Sequence, residues 1–135
     1  MEKFEILEHK ADLKIRVWGK TKEELFANAL LAMSESQKPE IKNQQKIKRE
    51  IKIKSLDLPA LLVDFLSEAL YLSQTNKEVY FKASFEKFTN SEIRGELIGQ
   101  LAERFGEDIK AVTHHNLEIK RNLSGSWKAI VLFDI

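Results

Sequence analysis

The sequence predicts an α+β fold in which two helices pack on a mostly antiparallel system of β-strands, within a single domain covering residues 1–135. Three observations lead to this prediction. Two segments carry apolar residues at helical spacing behind capping residues, and several others alternate apolar and polar residues as strands do. The last four predicted strands follow one another in hairpin-like succession. The predicted order is therefore strand, helix, strand, helix and then four strands.

The first predicted strand and helix lie between residues 12 and 33. Apolar and polar residues alternate from Leu13 to Trp18, and Asp12 falls in phase with the polar side of this strand. Thr21 and Glu24 match a capping box, so a helix is expected to begin there and to bury an apolar stripe that runs to Met33. The polar residues 34–45 predict a loop.

A second strand and a longer helix follow. Residues 46–54 alternate isoleucines with charged residues, which predicts a strand with a basic outer face. Asp57 is placed to cap a helix, and Pro59 is tolerated in the first turn. The leucines and Phe65 that follow give this helix a broad apolar face, and burying that face is expected to contribute strongly to stability.

The remaining chain predicts four strands. Gly95 and Gly99 lie in phase within one of them, which indicates a bulge or a close approach of another backbone. Along residues 109–120 every second residue, His115 included, is expected to share one face with apolar neighbours. Residues 127–135 are apolar on both faces, which predicts a strand buried on two sides.

Composition excludes several classes of protein. The 135 residues include 22 Lys and Arg against 21 Asp and Glu, so the net charge of +1 is not that of a general polyanion binder. With no cysteine, disulfides, thiolate metal sites and a cysteine nucleophile are excluded. No secretory signal, membrane span or glycine-rich nucleotide-binding loop is recognisable, so a cytoplasmic protein without membrane association is expected.

A cation site is one interpretation of the acidic groups near the two ends of the sequence. Asp134 and the α-carboxylate of Ile135 end an apolar run, where charge is costly unless an opposite charge meets it. If the two ends meet in the fold, these groups and Asp12 form an oxygen-rich pocket suited to a hard cation such as Ca²⁺ or Mg²⁺. The alternative is that Asp12 is a turn or capping residue.

Two histidines are supporting candidates for this site. His9 lies three residues before Asp12, and the pairing of His with Asp suits metal binding or general base catalysis. His115 is in phase with apolar residues, so a hydrogen-bonded core histidine is the favoured interpretation. A small metal-dependent phosphohydrolase that uses Asp12, His9 and Asp134 stays open as an alternative.

Six basic residues between Lys42 and Lys54 form a stripe that could meet RNA phosphates. Lysines on an outer strand also protect a sheet edge from aggregation. Because no aromatic residues interleave with these side chains to stack on bases, a solvated face is favoured.

Four blocks of sequence, in order, resemble the archease family. His9–Thr21 resembles its N-terminal segment, Asp57–Leu72 its central helix, Ile109–His115 a strand that ends in a histidine, and Trp127–Ile135 its closing segment. Lys10, Lys14 and His114 depart from the residues usual in the family. Since Lys10 and Lys14 flank Asp12, they are expected to alter the local charge and the affinity for a metal.

The resemblance implies a function that no periodicity could show. Archease-like proteins are non-catalytic activators of the RtcB-type RNA ligase in tRNA splicing and RNA repair, and they promote its guanylylation and multiple turnover. The residues that match Asp12, Asp134 and Ile135 are implied to bind a divalent cation, Ca²⁺ in the first place and otherwise Mg²⁺ or Mn²⁺. In that case the protein contacts tRNA only indirectly, through the ligase. The alternative is a chaperone or specificity modulator of RNA-modifying enzymes such as a tRNA methyltransferase.

Overall fold

The computed structural model describes residues 2–8 and 12–135, and it has the predicted α+β fold, with two helices packed on antiparallel sheets. The elements in chain order are β1 (Phe4–Glu8), β2 (Asp12–Gly19), α1 (Lys22–Ser36), β3 (Pro39–Ile41), β4 (Ile47–Lys54), α2 (Leu58–Asn76), β5 (Glu78–Phe88), β6 (Glu92–Phe105), β7 (Ala111–Arg121) and β8 (Trp127–Asp134). Strands β1 and β3 were not expected. Helix α1 also continues three residues into the predicted loop.

The strands form two antiparallel sheets. Sheet 1 has the order β1-β2-β8-β7, so β2 and β8 are its central strands. Sheet 2 is built around the long β6, which pairs with β5, with β4 and, near its C-terminal end, with β3. The pairing of β2 with β8 joins segments that are more than 100 positions apart in the sequence.

Both helices begin as the sequence predicts. The Glu24 amide donates to the Thr21 hydroxyl at 3.1 Å, and the Lys20 amide donates to the Glu24 carboxylate at 3.1 Å. At the start of α2, the Ala60 amide donates to the Asp57 carboxylate at 2.9 Å. These bonds satisfy amides that have no partner within the first turn of a helix.

The core lies where both helices meet both sheets. Helix α1 packs on β1 and β2 of sheet 1 and on β5 of sheet 2, and α2 packs on β7 and on β4 and β5. The inner side of β2 is fully enclosed, since Ile15 and Val17 are 0 % exposed. Phe26 of α1 and Phe65 of α2 are also 0 % exposed, with ring centroids 5.7 Å apart. The outer face of sheet 1 includes Asp12, Lys14 and Arg16 of β2, each of them partly exposed.

Strand β7 departs from the predicted alternation. Thr113 pairs with Leu132 on the outer face, whereas Ile119 pairs with Ala129 on the inner face. Between Thr113 and Glu118 the chain advances five residues while β8 advances two, so the extra residues form a wide bulge that contains Asn116 at φ 55°. The expectation that residues 109–119 share one face is therefore wrong, because the bulge reverses which side of β7 faces the core.

Candidate metal centre

Asp12 and Asp134 lie directly opposite each other across the β2–β8 pair. Directly opposed residues of antiparallel strands share a face and have Cβ atoms about 5 Å apart. The structure thus brings together two carboxylates that are separated by most of the chain. Ala111 of β7 pairs with Asp134 on its other side, so a small side chain borders the acidic pair.

The acidic pair belongs to the outer face of sheet 1. Leu13 and Phe133, the next residues inward along their strands, are 2 % and 0 % exposed and fix the inner face. Asp12 is partly buried and Asp134 is exposed. Like charges directly opposed on one face destabilise a sheet, so this end of sheet 1 favours the binding of a cation.

One atom of the acidic pair is buried with no hydrogen-bond partner in residues 2–8 and 12–135. Asp12 Oδ1 is inaccessible to solvent, and it accepts no hydrogen bond from the residues that the structure describes. A buried carboxylate oxygen without a donor is costly, and a bound cation would remove that cost. The donor set of this end of the sheet therefore fits a hard divalent ion.

The end of β8 is held against the body of the protein. The Lys110 amide donates to the Asp134 carbonyl at 2.7 Å, and the Ile135 side chain packs against the hydrophobic core. These two contacts fix the backbone at the end of β8. Among the described residues, no group of three or more His, Asp or Glu side chains could hold a metal. The predicted site therefore depends on the main-chain carboxylate as its third donor.

Neither histidine can be added to the acidic pair from this structure. His115 is exposed within the β7 bulge, where its amide donates to the Thr113 hydroxyl at 3.2 Å. Its expected place in the core is wrong, because the bulge removes it from the strand alternation on which that expectation depended. His9 and the neighbouring Lys10 lie outside the described residues, so their predicted influence on the site stays a prediction.

A cluster of lysines follows the acidic pair along the outer face of sheet 1. Lys120 of β7 forms an ion pair with Glu118, and a hydrogen bond from Lys120 lowers the pKa of that carboxyl despite some desolvation. The charges of Lys128 and Lys14 lower it further. The face therefore changes from acidic at the Asp12 end to electropositive toward the start of β8.

Sequence reasoning missed one buried charge cluster. The Glu78 side chain is 3 % exposed and receives two hydrogen bonds of 2.8 Å from Arg49, and a third of 2.6 Å from the Tyr80 hydroxyl. The hydrogen bond from Arg49 is the main reason that the pKa of Glu78 is lowered, although burial opposes it. Arg49 is in phase with Ile47 and Ile51 on β4, and this arginine among isoleucines was the available signal.

Comparison with known proteins identifies the family. The fold class is that of small α+β proteins with two helices on antiparallel sheets, and residues 4–135 match the Archease protein family. The chain is 39 % identical to the archease of Methanosarcina mazei, with 99 % of this chain and 97 % of that protein covered. It is 34 % identical to the archease of Pyrococcus furiosus, with both chains fully covered. The chain therefore belongs to the archease family.

Solved structures agree with this assignment. A Methanobacterium thermoautotrophicum protein superposes with a TM-score of 0.69 at 27 % identity, with both chains fully covered. An archease from Thermotoga maritima, described as a possible chaperone, superposes with a TM-score of 0.71 at 20 % identity, over 96 % of this chain and 94 % of that one. This second likeness supports the fold.

Helix α2 is the longer of the two helices. No helix in residues 2–8 and 12–135 combines the length and apolar character that a membrane-spanning segment requires.

Proposed function

We propose that this protein is a non-catalytic cofactor of an RtcB-type RNA ligase. It promotes the guanylylation and the multiple turnover of that ligase during tRNA splicing and RNA repair. Membership of the archease family supports the choice of partner. The observation that carries the proposal within the chain is the acidic pair, in which Asp12 and Asp134 are directly opposed and the buried Asp12 Oδ1 has no donor among the residues that the structure describes.

In this proposal Asp12, Asp134 and the Ile135 carboxylate hold a divalent cation, with Ca²⁺ favoured by the all-oxygen donor set. The bound ion would supply positive charge that neutralises the opposed carboxylates. The two central strands of sheet 1 orient these carboxylates, and the bond from Lys110 to Asp134 limits the movement of the chain end. A rigid tip of this kind suits binding to one conformation of a partner, which shifts the population of the partner without chemistry by this chain.

The test measures GMP loading and repeated turnover of the cognate ligase with the native chain, with Asp12→Ala, and with three residues appended after Ile135. Stimulation by the native chain and its loss in both variants are expected. Asp64→Ala on α2 is the matched control and should stimulate normally, because Asp64 accepts a hydrogen bond from the hydroxyl of Ser55, which follows β4 of sheet 2. Full stimulation by the extended chain would exclude the terminal carboxylate from the site.

A chaperone of RNA-modifying enzymes is the second candidate, favoured by the description of the Thermotoga relative. It predicts that the chain keeps a tRNA methyltransferase soluble during heating and that Asp12→Ala does so equally well. If the ligase is unaffected while this protection is observed, the chaperone role replaces the ligase role.

A further inference from the structure

The outer face of sheet 1 is a sheet surface that neither α1 nor α2 covers. Helix α1 packs on β1, β2 and β8, and α2 packs on β7, from the inner side, where Ile15, Val17 and Val131 are 0 % exposed. Alternate residues of β2 and β8 therefore point away from both helices. Six of these outward residues are called the central outer face: Lys14, Arg16, Trp18, Lys128, Ile130 and Leu132.

An apolar stripe runs through the middle of this face. Ile130 and Leu132 lie about 7 Å apart along β8, and Trp18 lies diagonal to Ile130, at a spacing that a large side chain spans. Trp18 and Ile130 are partly exposed, and Leu132 is 9 % exposed. The solvated face of an antiparallel sheet is ordinarily polar, so an indole beside two aliphatic side chains indicates an interaction surface.

Positive charge surrounds this stripe, and neighbouring glutamates balance only part of it. Arg16 forms an ion pair of 3.5 Å with Glu5 of β1, and Lys120 of β7 forms one with Glu118. Both lysines of the central outer face form no ion pair in the part of the chain that the structure describes. Away from the acidic pair the face is therefore net positive, and an acidic surface would complement it.

The apolar stripe favours a protein over a nucleic acid as the occupant. Protein interfaces have an apolar centre within a polar rim, and tryptophan and arginine are enriched among the residues that carry the binding energy. Surfaces that bind nucleic acids are more polar and much more positively charged. Here Ile130 and Leu132 offer nothing to a phosphate, and two of the surrounding cations are already paired with glutamates.

A second copy of this chain fits the face less well. If two copies packed face to face with their strands antiparallel and their apolar stripes in contact, Lys14 of one copy would meet Arg16 of the other. If the strands were parallel, the row that contains Lys120 and Lys128 would meet its own equivalent. Both arrangements oppose like charges, which is costly at an interface.

We propose that the central outer face is the docking surface for the partner protein, and that it receives an acidic surface with an apolar centre. This inference rests on the proposed function, since it assigns the surface by which the ligase is held. Asp12 follows Lys14 on the same face at a distance of about 7 Å along β2. Docking on this face therefore brings the acidic pair to the edge of the contact, so that neighbouring but different residues carry binding and activation.

The experiment measures binding of the cognate ligase separately from its activation. The ligase is immobilised, the full chain is titrated over it in biolayer interferometry, and GMP loading is measured with the same preparations. The Kd is expected to rise at least about threefold between roughly 50 and 200 mM NaCl, because salt screens the attraction between an acidic and a basic surface.

Two variants alter the face without changing the acidic pair. Lys128→Glu reverses one charge and should weaken binding about tenfold. Trp18→Ala should weaken it by at least about thirtyfold, the loss typical of an aromatic residue at the centre of an interface. Lys52→Glu makes the same charge change on the outer face of sheet 2 and should change the Kd less than about twofold. Circular dichroism melts establish that each variant is folded.

Asp12→Ala separates this inference from the proposed function. It is expected to bind the ligase as the native chain does while failing to stimulate GMP loading. If the native chain binds and stimulates, and both Lys128→Glu and Trp18→Ala bind as tightly, the docking assignment is wrong and the proposed function stands. If the native chain neither binds nor stimulates the ligase, the proposed function fails and the docking assignment fails with it.

Two further outcomes would overturn the proposal by giving the face another occupant. A dimer of the native chain in sedimentation velocity that Lys128→Glu dissociates would assign the face to a second copy. Binding of single-stranded RNA by the native chain alone, lost in Lys128→Glu and in Trp18→Ala but retained in Lys52→Glu, would assign it to nucleic acid.

Discussion

Lys14 is placed to affect the acidic pair. It follows Asp12 by two residues on the outer face of sheet 1 and pairs with Leu132, so it lies about 7 Å along the strand from Asp12. At that distance in water a unit charge repels a divalent ion by about 1 kcal/mol. Lys14→Gln is therefore expected to tighten Ca²⁺ binding about fivefold, measured by titration calorimetry. Lys82→Gln on sheet 2 is the control, and equal affinities of all three proteins would contradict the placement of the site.

The Arg49–Glu78 pair predicts a loss of stability when it is broken. Glu78 is almost fully buried, whereas 40 % of the Arg49 side chain is exposed. Arg49→Met is expected to lower the free energy of unfolding by about 3 kcal/mol at pH 7, the lower end for leaving a buried charge unpaired. Urea denaturation measures this change. Arg104→Met breaks the exposed Arg104–Glu40 pair and should cost less than about 1 kcal/mol.

The Arg49–Glu78 pair also predicts how the stability lost in Arg49→Met depends on pH. Glu78 has a lowered pKa in the folded chain, so its contribution to stability is present above the ordinary value of 4.5 and is lost as pH falls through the lowered value. In Arg49→Met only burial and the Tyr80 hydroxyl act on Glu78, and burial raises its pKa. The stability difference between the two proteins should therefore shrink from pH 7 to pH 4.5. A constant difference would show that Glu78 is not the group responsible.

The glycines of β6 are required by the close approach of β5. A Cβ at Gly99 would lie 1.8 Å from the Val79 carbonyl oxygen, and one at Gly95 would lie 2.0 Å from the Ser84 carbonyl oxygen. Strand β5 has irregularities in register after Tyr80 and after Phe85, opposite these glycines. The sequence prediction of a bulge or a close approach is confirmed.

Gly99→Ala is accordingly expected to lower the free energy of unfolding by about 3 kcal/mol or to prevent folding, because backbone rather than a flexible side chain must move. The urea midpoint gives the measurement, and hydrogen exchange on β5 locates the disturbance. Ser84→Ala, on the exposed side of the same strand pair, should stay within about 0.5 kcal/mol of the native chain. A Gly99→Ala variant of native stability would mean that β5 and β6 can separate without cost.

Local patterns in the sequence predicted the helices and strands better than they predicted how the strands pair. Caps at Thr21 and Asp57 fixed the helix starts because a cap is made within four residues. By contrast, alternation alone placed His115 in the core, since a bulge changes the face of a strand without changing its composition. Pairing across a sheet depends on distant partners, so sequence spacing could not establish that Asp12 lies opposite Asp134.

The whole molecule has a polar axis along sheet 1. The acidic pair lies at one end of the central strands, and Lys120 and Lys128 are directly opposed on the same face near the other end, so the near-zero net charge hides two regions of opposite sign. Composition therefore excluded a uniformly charged surface but could not exclude separate charged sites.

A cation at the acidic pair would also stabilise the whole fold, because it joins the second strand and the last strand at the centre of sheet 1. A ligand that binds only the folded state at 100 times its Kd stabilises by about 2.7 kcal/mol. For a chain of this length, that corresponds to a rise in Tm of roughly 10 °C. The native chain is expected to show this rise in Ca²⁺ relative to EDTA, measured by differential scanning calorimetry.

The double variant Asp12→Asn with Asp134→Asn separates this effect from general stabilisation by salt. In EDTA it should melt at or above the temperature of the native chain, because the repulsion between the opposed carboxylates is gone. In Ca²⁺ its Tm should not rise, whereas Asp64→Asn on α2 should behave as the native chain does. If instead the double variant gains as much from Ca²⁺ as the native chain, the ion acts elsewhere and the opposed carboxylates are not its ligands.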